Sequence, residues 1–242
     1  MALLFFTSDI KSYNIQATDG EMGKVKDLYF DDDSWTIRYA VVDTRKWLPG
    51  RKVLLSPSSF VSFKEDDKQL EVEYDKETVR NSPEIPEGQE ITPETEKSLI
   101  GYYGWSRYWL TSSMWGVDNG PITSSFDERD SFRDKFAEDV PENEDARHNL
   151  RSDEETIGFK VHANNGKIGT VADLICDDDD WKVRQLVIQS SESYVEEKYL
   201  LAVTEEIESV DWFEQDIYLN LPVEVANQKT TYSKKSDILV ER

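Results

Sequence analysis

The chain has 242 residues, enough for one large domain or two small ones, and its 38% hydrophobic and 12% aromatic content separates it from disordered chains. A formal net charge of -22 argues against gripping nucleic acid or anionic lipid, and the lone Cys176 excludes an intramolecular disulfide. No apolar run reaches the roughly 18 residues of a membrane-spanning helix, and the apolar patch at 2–6 is too short and lacks the basic flank of a secretory leader, so a cytoplasmic setting is expected.

In chain order, Asp19-Gly20 signals a tight turn, because glycine supplies the positive φ such turns need. Val25, Leu28, Tyr29 and Phe30 predict a strand that ends in the acidic turn of Asp31, Asp32, Asp33 and Ser34. Trp35, Ile37, Tyr39 and Val41 alternate with Thr36, Arg38 and Ala40, the period of a half-buried strand. Leu48-Pro49-Gly50 turns the chain into a strand at 53–55, with two more at 60–63 and 70–74. Asp75 suits the N-cap of a short helix that Pro83 stops.

Pro83, Pro86 and Pro93 then mark a linker. A helix can start at 92–97 and lead into an aromatic knot of Tyr102, Tyr103, Trp105, Tyr108 and Trp109, with Trp115 close behind. Each buried ring removes about 150–250 Å² from water, so these rings need a cover. Packing between two barrels or across a homodimer would supply one, and the alternative is a candidate interaction surface for a partner or ligand. From 126 to 153 the chain is mostly charged and reads as mobile, apart from a short helix near 131–137. Further strands are expected at 156–163, 167–176, 181–190, 199–203, 207–212 and 217–221, then a short segment at 223–228 and a fraying tail at 229–242.

Residues 17–44 lie over 163–190 without a gap, at an offset of 146. Gly20, Gly23, Asp27, Trp35 and Arg38 recur as Gly166, Gly169, Asp173, Trp181 and Arg184, as do Val25, Leu28 and Val41 as Val171, Leu174 and Val187. This is an internal duplication, with a first module at 1–83, a linker at 84–153, a second module at 154–228 and a tail. Some six short strands per module close most economically into a small barrel, which removes sheet edges. The expected fold is therefore mainly β, with two small SH3-like barrels in tandem, each with its own core and related by a pseudo-twofold axis.

The string ATDGEMGKVKDLYFDDDSWTIRYAVVDT at 17–44, followed by WLPGRKVLLSP, resembles the PRC-barrel domain. The likeness covers 5–83 and, more weakly, 155–228. The family includes the cytoplasmic domain of the photosynthetic reaction-centre H subunit and the C-terminal domain of the ribosome maturation factor RimM. The resemblance implies tandem PRC-barrels acting as adaptors, a family whose clients are unrelated to one another. Neither named role is expected: no membrane anchor precedes the barrel, the N-terminal domain of RimM is missing, and the charge opposes RNA.

Catalytic chemistry finds little footing. His148 sits in the charged linker, and His162 is Gln16 in the other copy. Cys176 lies over Phe30 and reads as a small apolar strand residue. The acidic runs Asp31 to Asp33 and Asp177 to Asp180 lack the glycine of a calcium loop and read as hairpin turns, with adventitious cation binding left open. Asp27 and Asp173, inside apolar strands, are expected to accept backbone N–H bonds. Arg38 and Arg184 either face solvent or pair with them. No catalytic, cofactor or metal residues are assigned. The expected function is a non-catalytic protein-interaction or scaffold protein with a protein partner, no nucleic acid and no membrane span. The alternative is a small-ligand-binding protein or enzyme with a pocket at the aromatic segment. The acidity fits plain solubility, a salt-rich habitat or a basic partner.

Overall fold

The computed structural model describes residues 3–109, 149–190 and 197–239. The expected helix near 131–137, together with Trp115 and His148, lies outside them.

The first half contains strands β1 (Leu4–Phe6), β2 (Asn14–Ala17), β3 (Gly20–Asp31), β4 (Ile37–Asp43), β5 (Arg51–Leu55), β6 (Phe60–Lys64), β7 (Gln69–Val72) and β8 (Ile85–Pro86). One helical turn, α1 (Thr7–Ile10), follows β1, and α2 (Lys76–Arg80) starts where the Asp75 carboxylate accepts the Thr78 N–H at 2.7 Å. The longer α3 (Pro93–Tyr103) leads away from this half. The second half repeats the order: β9 (Leu150–Ser152), α4 (Asp153–Thr156), β10 (Lys160–Ala163), β11 (Gly166–Asp177), β12 (Val183–Ser190), β13 (Tyr199–Val203), β14 (Ile207–Asp211), β15 (Asp216–Leu219) and α5 (Val223–Ala226).

The strands make two sheets, as expected for two small β-barrel-like units. One runs β6-β7-β2-β3-β4-β5-β8 and the other β13-β12-β11-β10-β15-β14. The long hairpin partners carry matching bulges, between Val25 and Asp27 on β3 and between Val171 and Asp173 on β11. A bulge adds twist and re-aims side chains. Here it lets one long strand serve two neighbours in turn: β3 pairs with β2 near Gly23 and with β9 near Phe30.

The first strand of each half belongs to the other half. β1 pairs antiparallel with β11, Phe5 opposite Cys176, while β9 pairs with β3, Arg151 opposite Phe30. These registers are the same once the 146-residue offset is applied. The two acidic turns meet at an antiparallel bridge between Thr36 and Lys182, which are themselves counterparts. Around it the Ile37 N–H donates to the Trp181 carbonyl at 2.6 Å and the Val183 N–H to the Trp35 carbonyl at 2.8 Å. Such reciprocal contacts are those of a twofold relation between the halves.

The expected separate cores are replaced by one. A single buried cluster contains Ile15, Val25, Leu28 and Phe30 together with Val161, Val171, Leu174 and Leu186. The physical reason is the exchange, which carries Trp181 onto Phe60 of the first half (ring centroids 4.9 Å apart) and Phe30 towards Trp212 of the second (6.2 Å). Trp35 and Trp181 do not open their strands, as the alternation suggests. Both have left-handed backbones (φ 58° and 53°) and act as the hinge of the turn. β4 is buried along both faces: Ala40 and Val42 point into the shared core, Tyr39 and Val41 into a second cluster outside it.

The C-terminal tail also differs from expectation. It bridges Tyr199 through Tyr232, and Ile238 is fully buried beside Phe6, Ile175 and Val187. Two adjacent apolar residues, Ile238 and Leu239, suffice to dock it because the joint leaves that apolar face bare.

Candidate functional site

The aromatic segment begins with α3, whose N-cap Thr92 accepts the Thr95 N–H at 3.2 Å and whose C-cap Gly104 takes the left-handed conformation (φ 70°). That reversal aims the following rings at the outer face of β4. Trp105, Tyr108 and Trp109 are buried there against Tyr39, Val41 and Leu54, and Tyr103 stacks on Trp105 at 4.4 Å. Trp105 Nε1 donates to the Tyr74 hydroxyl at 3.0 Å, and the Tyr108 hydroxyl donates to the Ile37 carbonyl. The rings thus lie on one flank of the first barrel rather than between the barrels. Tyr102 is the exposed member (41%), its hydroxyl donating to the Thr78 carbonyl at 2.9 Å.

At the centre of this packing sits Glu96, which nothing in the sequence pattern marks as buried. Its Oε1 accepts from the Tyr39 hydroxyl at 2.6 Å and pairs with Arg38, whose guanidinium lies 4.6 Å above the Trp109 ring. Arg38 also reaches Asp31 at 3.4 Å. Burial, then the Glu96 carboxylate, push the Tyr39 phenol well above its ordinary value, so it stays a donor. Among the described residues, these side chains pack against one another and against the outer face of β4. Arg184 pairs instead with Asp177 and Asp180 on its own turn. Neither arginine touches Asp27 or Asp173.

The two acidic turns fold on their own first carboxylate. Asp31 Oδ1 accepts the Ser34 N–H at 2.9 Å and the Asp33 N–H at 3.2 Å, and Asp177 Oδ1 accepts the Asp180 N–H at 2.6 Å. Asp32 is held by Arg151 at 2.8 Å and Asp33 by the Asn149 amide. The described residues contain no group of three or more His, Cys, Asp or Glu side chains able to hold a metal. Gly23 and Gly169 are needed for close approach: a Cβ at either would lie 2.1 Å from the carbonyl oxygen of Asp43 or Gln189. Gly20 (φ 129°) turns β2 into β3, and Gly166 occupies the matching hairpin.

Asp27 and Asp173 take the expected backbone bonds, each one from its own strand and one from the opposite half. Asp173 accepts the Leu174 N–H at 2.9 Å, then the Ser8 N–H at 3.3 Å and the Thr7 hydroxyl at 3.0 Å, both on the exchanged α1. Lys235 of the tail lies 2.5 Å from its other oxygen. Asp27 accepts the Leu28 N–H at 2.9 Å, the Glu154 N–H at 3.3 Å and the Ser152 hydroxyl at 2.6 Å, both donors from the exchanged β9–α4 unit.

Two further groups complete the inventory. The Cys176 thiol is fully buried, and burial raises it well above its ordinary value. His162 Nε2 lies 2.8 Å from Asp216, and its ring stacks on Tyr218 at 5.2 Å. No helix among the described residues is long and apolar enough to cross a membrane.

A first half built of β1 to β7 and α2, with bulged β3 as its spine, is what a family comparison can recognise. Residues 4–79 match the PRC-barrel domain. That span runs from the exchanged β1 into the end of α2, stopping short of α3 and the aromatic rings. No curated protein matches the chain.

Proposed function

We propose that the chain is a non-catalytic interaction or scaffold protein in which two PRC-barrel modules are fused into one rigid body. The observation that carries this reading is the use made of the repeated polar residues. Asp27, Asp173, Asp31 and Asp177 are all engaged in building turns or joining the halves. Their partners are backbone amides, hydroxyls and cations of the turns and of the exchanged units, so these side chains serve the fold, and none of them faces the pocket-like arrangement that acid–base or covalent chemistry on a substrate requires. The PRC-barrel match of the first half supports an adaptor role, and the buried, unionised Cys176 suits a reducing cytoplasmic setting.

The surface best suited to a protein partner lies on the second module. Phe213, at the β14–β15 turn, is 92% exposed, and Tyr218 and Val225 are also open to solvent. The residues 154–228 around them carry 17 acidic and 5 basic side chains, net -12, which favours a partner with a basic rim. The test is affinity capture with the full-length chain, comparing wild type with Phe213→Asp. A partner retained by wild type and lost by the variant at unchanged Tm supports the reading. A metabolite that raises the Tm while no protein is retained would overturn it in favour of ligand binding.

A further inference from the structure

The two joints between the halves share a backbone register but differ in what each repeated aspartate meets on the exchanged unit. Asp173 faces Thr7 on the exchanged α1, whereas its counterpart Asp27 faces Asp153, the first residue of α4. Both aspartates of the first joint are buried, and the single Leu28 N–H reaches Oδ1 of each, at 2.9 Å for Asp27 and 3.1 Å for Asp153. Two carboxyl groups that share one amide donor lie against each other.

The surroundings supply charge for one anion at contact distance. Lys11, following α1, places its ammonium 3.0 Å from Asp153 Oδ2. The Ser152 hydroxyl and the Glu154 N–H supply neutral donors to Asp27. Farther out, Lys52 of β5 and the Tyr29 phenol of β3 face Asp27, Glu155 of α4 faces both of those groups, and the Cys176 thiol of β11 faces Asp153. At the second joint Lys235 lies directly on Asp173, and every other contact there is a donor. Asp173 is therefore matched as an anion. Asp27 and Asp153 as two adjacent anions would repel one another in a site that water does not screen.

We infer that Asp27 and Asp153 share one proton, which clasps the exchanged β9–α4 unit onto β3 and makes this joint, unlike the Asp173 joint, loosen as the solution becomes alkaline. Burial first, and Asp153 second, push the Asp27 carboxyl up to about 8. In the unfolded chain it titrates near about 3.9. Between those values the folded protein binds the extra proton, so stability falls as pH rises through this window and levels off above it. Tyr29, pushed up to about 12, and the raised Cys176 thiol do not ionise within it.

The experiment follows the Tm of the full chain from pH 5 to pH 9 for wild type, Asp27→Asn and Asp173→Asn. An asparagine at 27 imitates the protonated acid, since its amide can donate to Asp153 while its oxygen keeps the backbone bonds. The wild-type and Asp27→Asn curves should lie closest near pH 5 and separate further as pH rises towards 8, the variant gaining in stability relative to wild type. Asp173→Asn should lie below wild type across the range, with no such divergence. Parallel wild-type and Asp27→Asn curves would overturn the inference. If Asp27→Asn does not fold, amide hydrogen exchange on wild type decides. Protection of the Glu154 N–H should fall about tenfold per pH unit between 6 and 8 after correction for intrinsic exchange, while its counterpart, the Ser8 N–H, holds. Equal behaviour of the two amides would likewise overturn it.

Discussion

The first half and the second half share a backbone plan, yet the same face of each is covered in different ways. Over Tyr39 and Val41 the first half lays α3 and three buried rings, with Glu96 and Arg38 paired beneath them. Over the counterpart Val187 the second half lays a short tail, anchored by Ile238 and by Lys235 on Asp173. The charges diverge too: residues 1–83 carry 15 acidic and 12 basic side chains, against 17 and 5 in residues 154–228. The tail, with 4 basic and 2 acidic residues, brings cations to the half that lacks them, Lys229 pairing with Glu206 and Lys235 with Asp173. The residues held in both copies build the common strands and turns, while the covers laid over their outer faces differ.

The largest effect should come from breaking the joint. Trp181 is buried among Phe5, Phe60 and Phe63, rings of the first half, so Trp181→Ala opens a cavity in the shared core rather than in one module. A loss of about 3–5 kcal/mol is expected. Because the core is continuous, calorimetry should show one cooperative transition for the wild type. Two resolved transitions would mean that the halves fold as separate units.

Next comes the contrast between the two arginines. Glu96→Ala leaves the Arg38 guanidinium buried and the Tyr39 hydroxyl without its acceptor, at a cost of about 3 kcal/mol. Asp180→Ala breaks an ion pair with Arg184 that is more than a third open to solvent, and should cost less than about 1 kcal/mol in chemical denaturation. Similar losses at the two sites would remove burial as the distinction between them.

Much of this was legible in the sequence, and the illegible parts have physical causes. The offset of 146 exposes the duplicated strands because barrel positions such as Val25 and Val171, or Leu28 and Leu174, face equivalent surroundings. The exchanged ends were hidden: of β1 and β9 only Leu4 and Leu150 agree, since Phe5 packs on Phe63 and Trp181, whereas Arg151 lies over Trp212. Asp153 shares no identity with Thr7 yet fills the same place. Trp35 looked like a strand residue because its apolar ring continues the alternation, but the Asp31 carboxylate gathers the N–H groups of the turn and sets the backbone before it. The burial of Glu96 depends on partners 57 and 58 residues away, which no local pattern encodes.

A smaller change follows from removing the tail. Deleting residues 232–242 exposes Val187 and Ile175 and frees Asp173 from Lys235, while the shared core keeps its contacts. Burial of one isoleucine accounts for about 2–3 kcal/mol and the buried Asp173 carboxylate also loses its cation, so the loss should be at least of that order by denaturant unfolding. A variant as stable as wild type would mean that the tail rests on the surface without contributing.

The smallest effect tests whether the uneven charge is felt as a field. Self-repulsion reaches farthest at low ionic strength, where the Debye length is about 30 Å at 0.01 M against about 10 Å at 0.1 M. Raising NaCl should therefore raise the Tm of the whole chain, and the benefit should arise chiefly in the second half. Asp33 and Asp179 are counterparts at the exposed tips of the two acidic turns, so lysine at either position makes the same local change in different surroundings. Asp179→Lys should raise the low-salt Tm more than Asp33→Lys, which also gives up the Asn149 amide contact, and should flatten the salt curve more. Equal shifts from the two substitutions would show that each turn senses its own neighbours and that the net charge of its module is without consequence for stability.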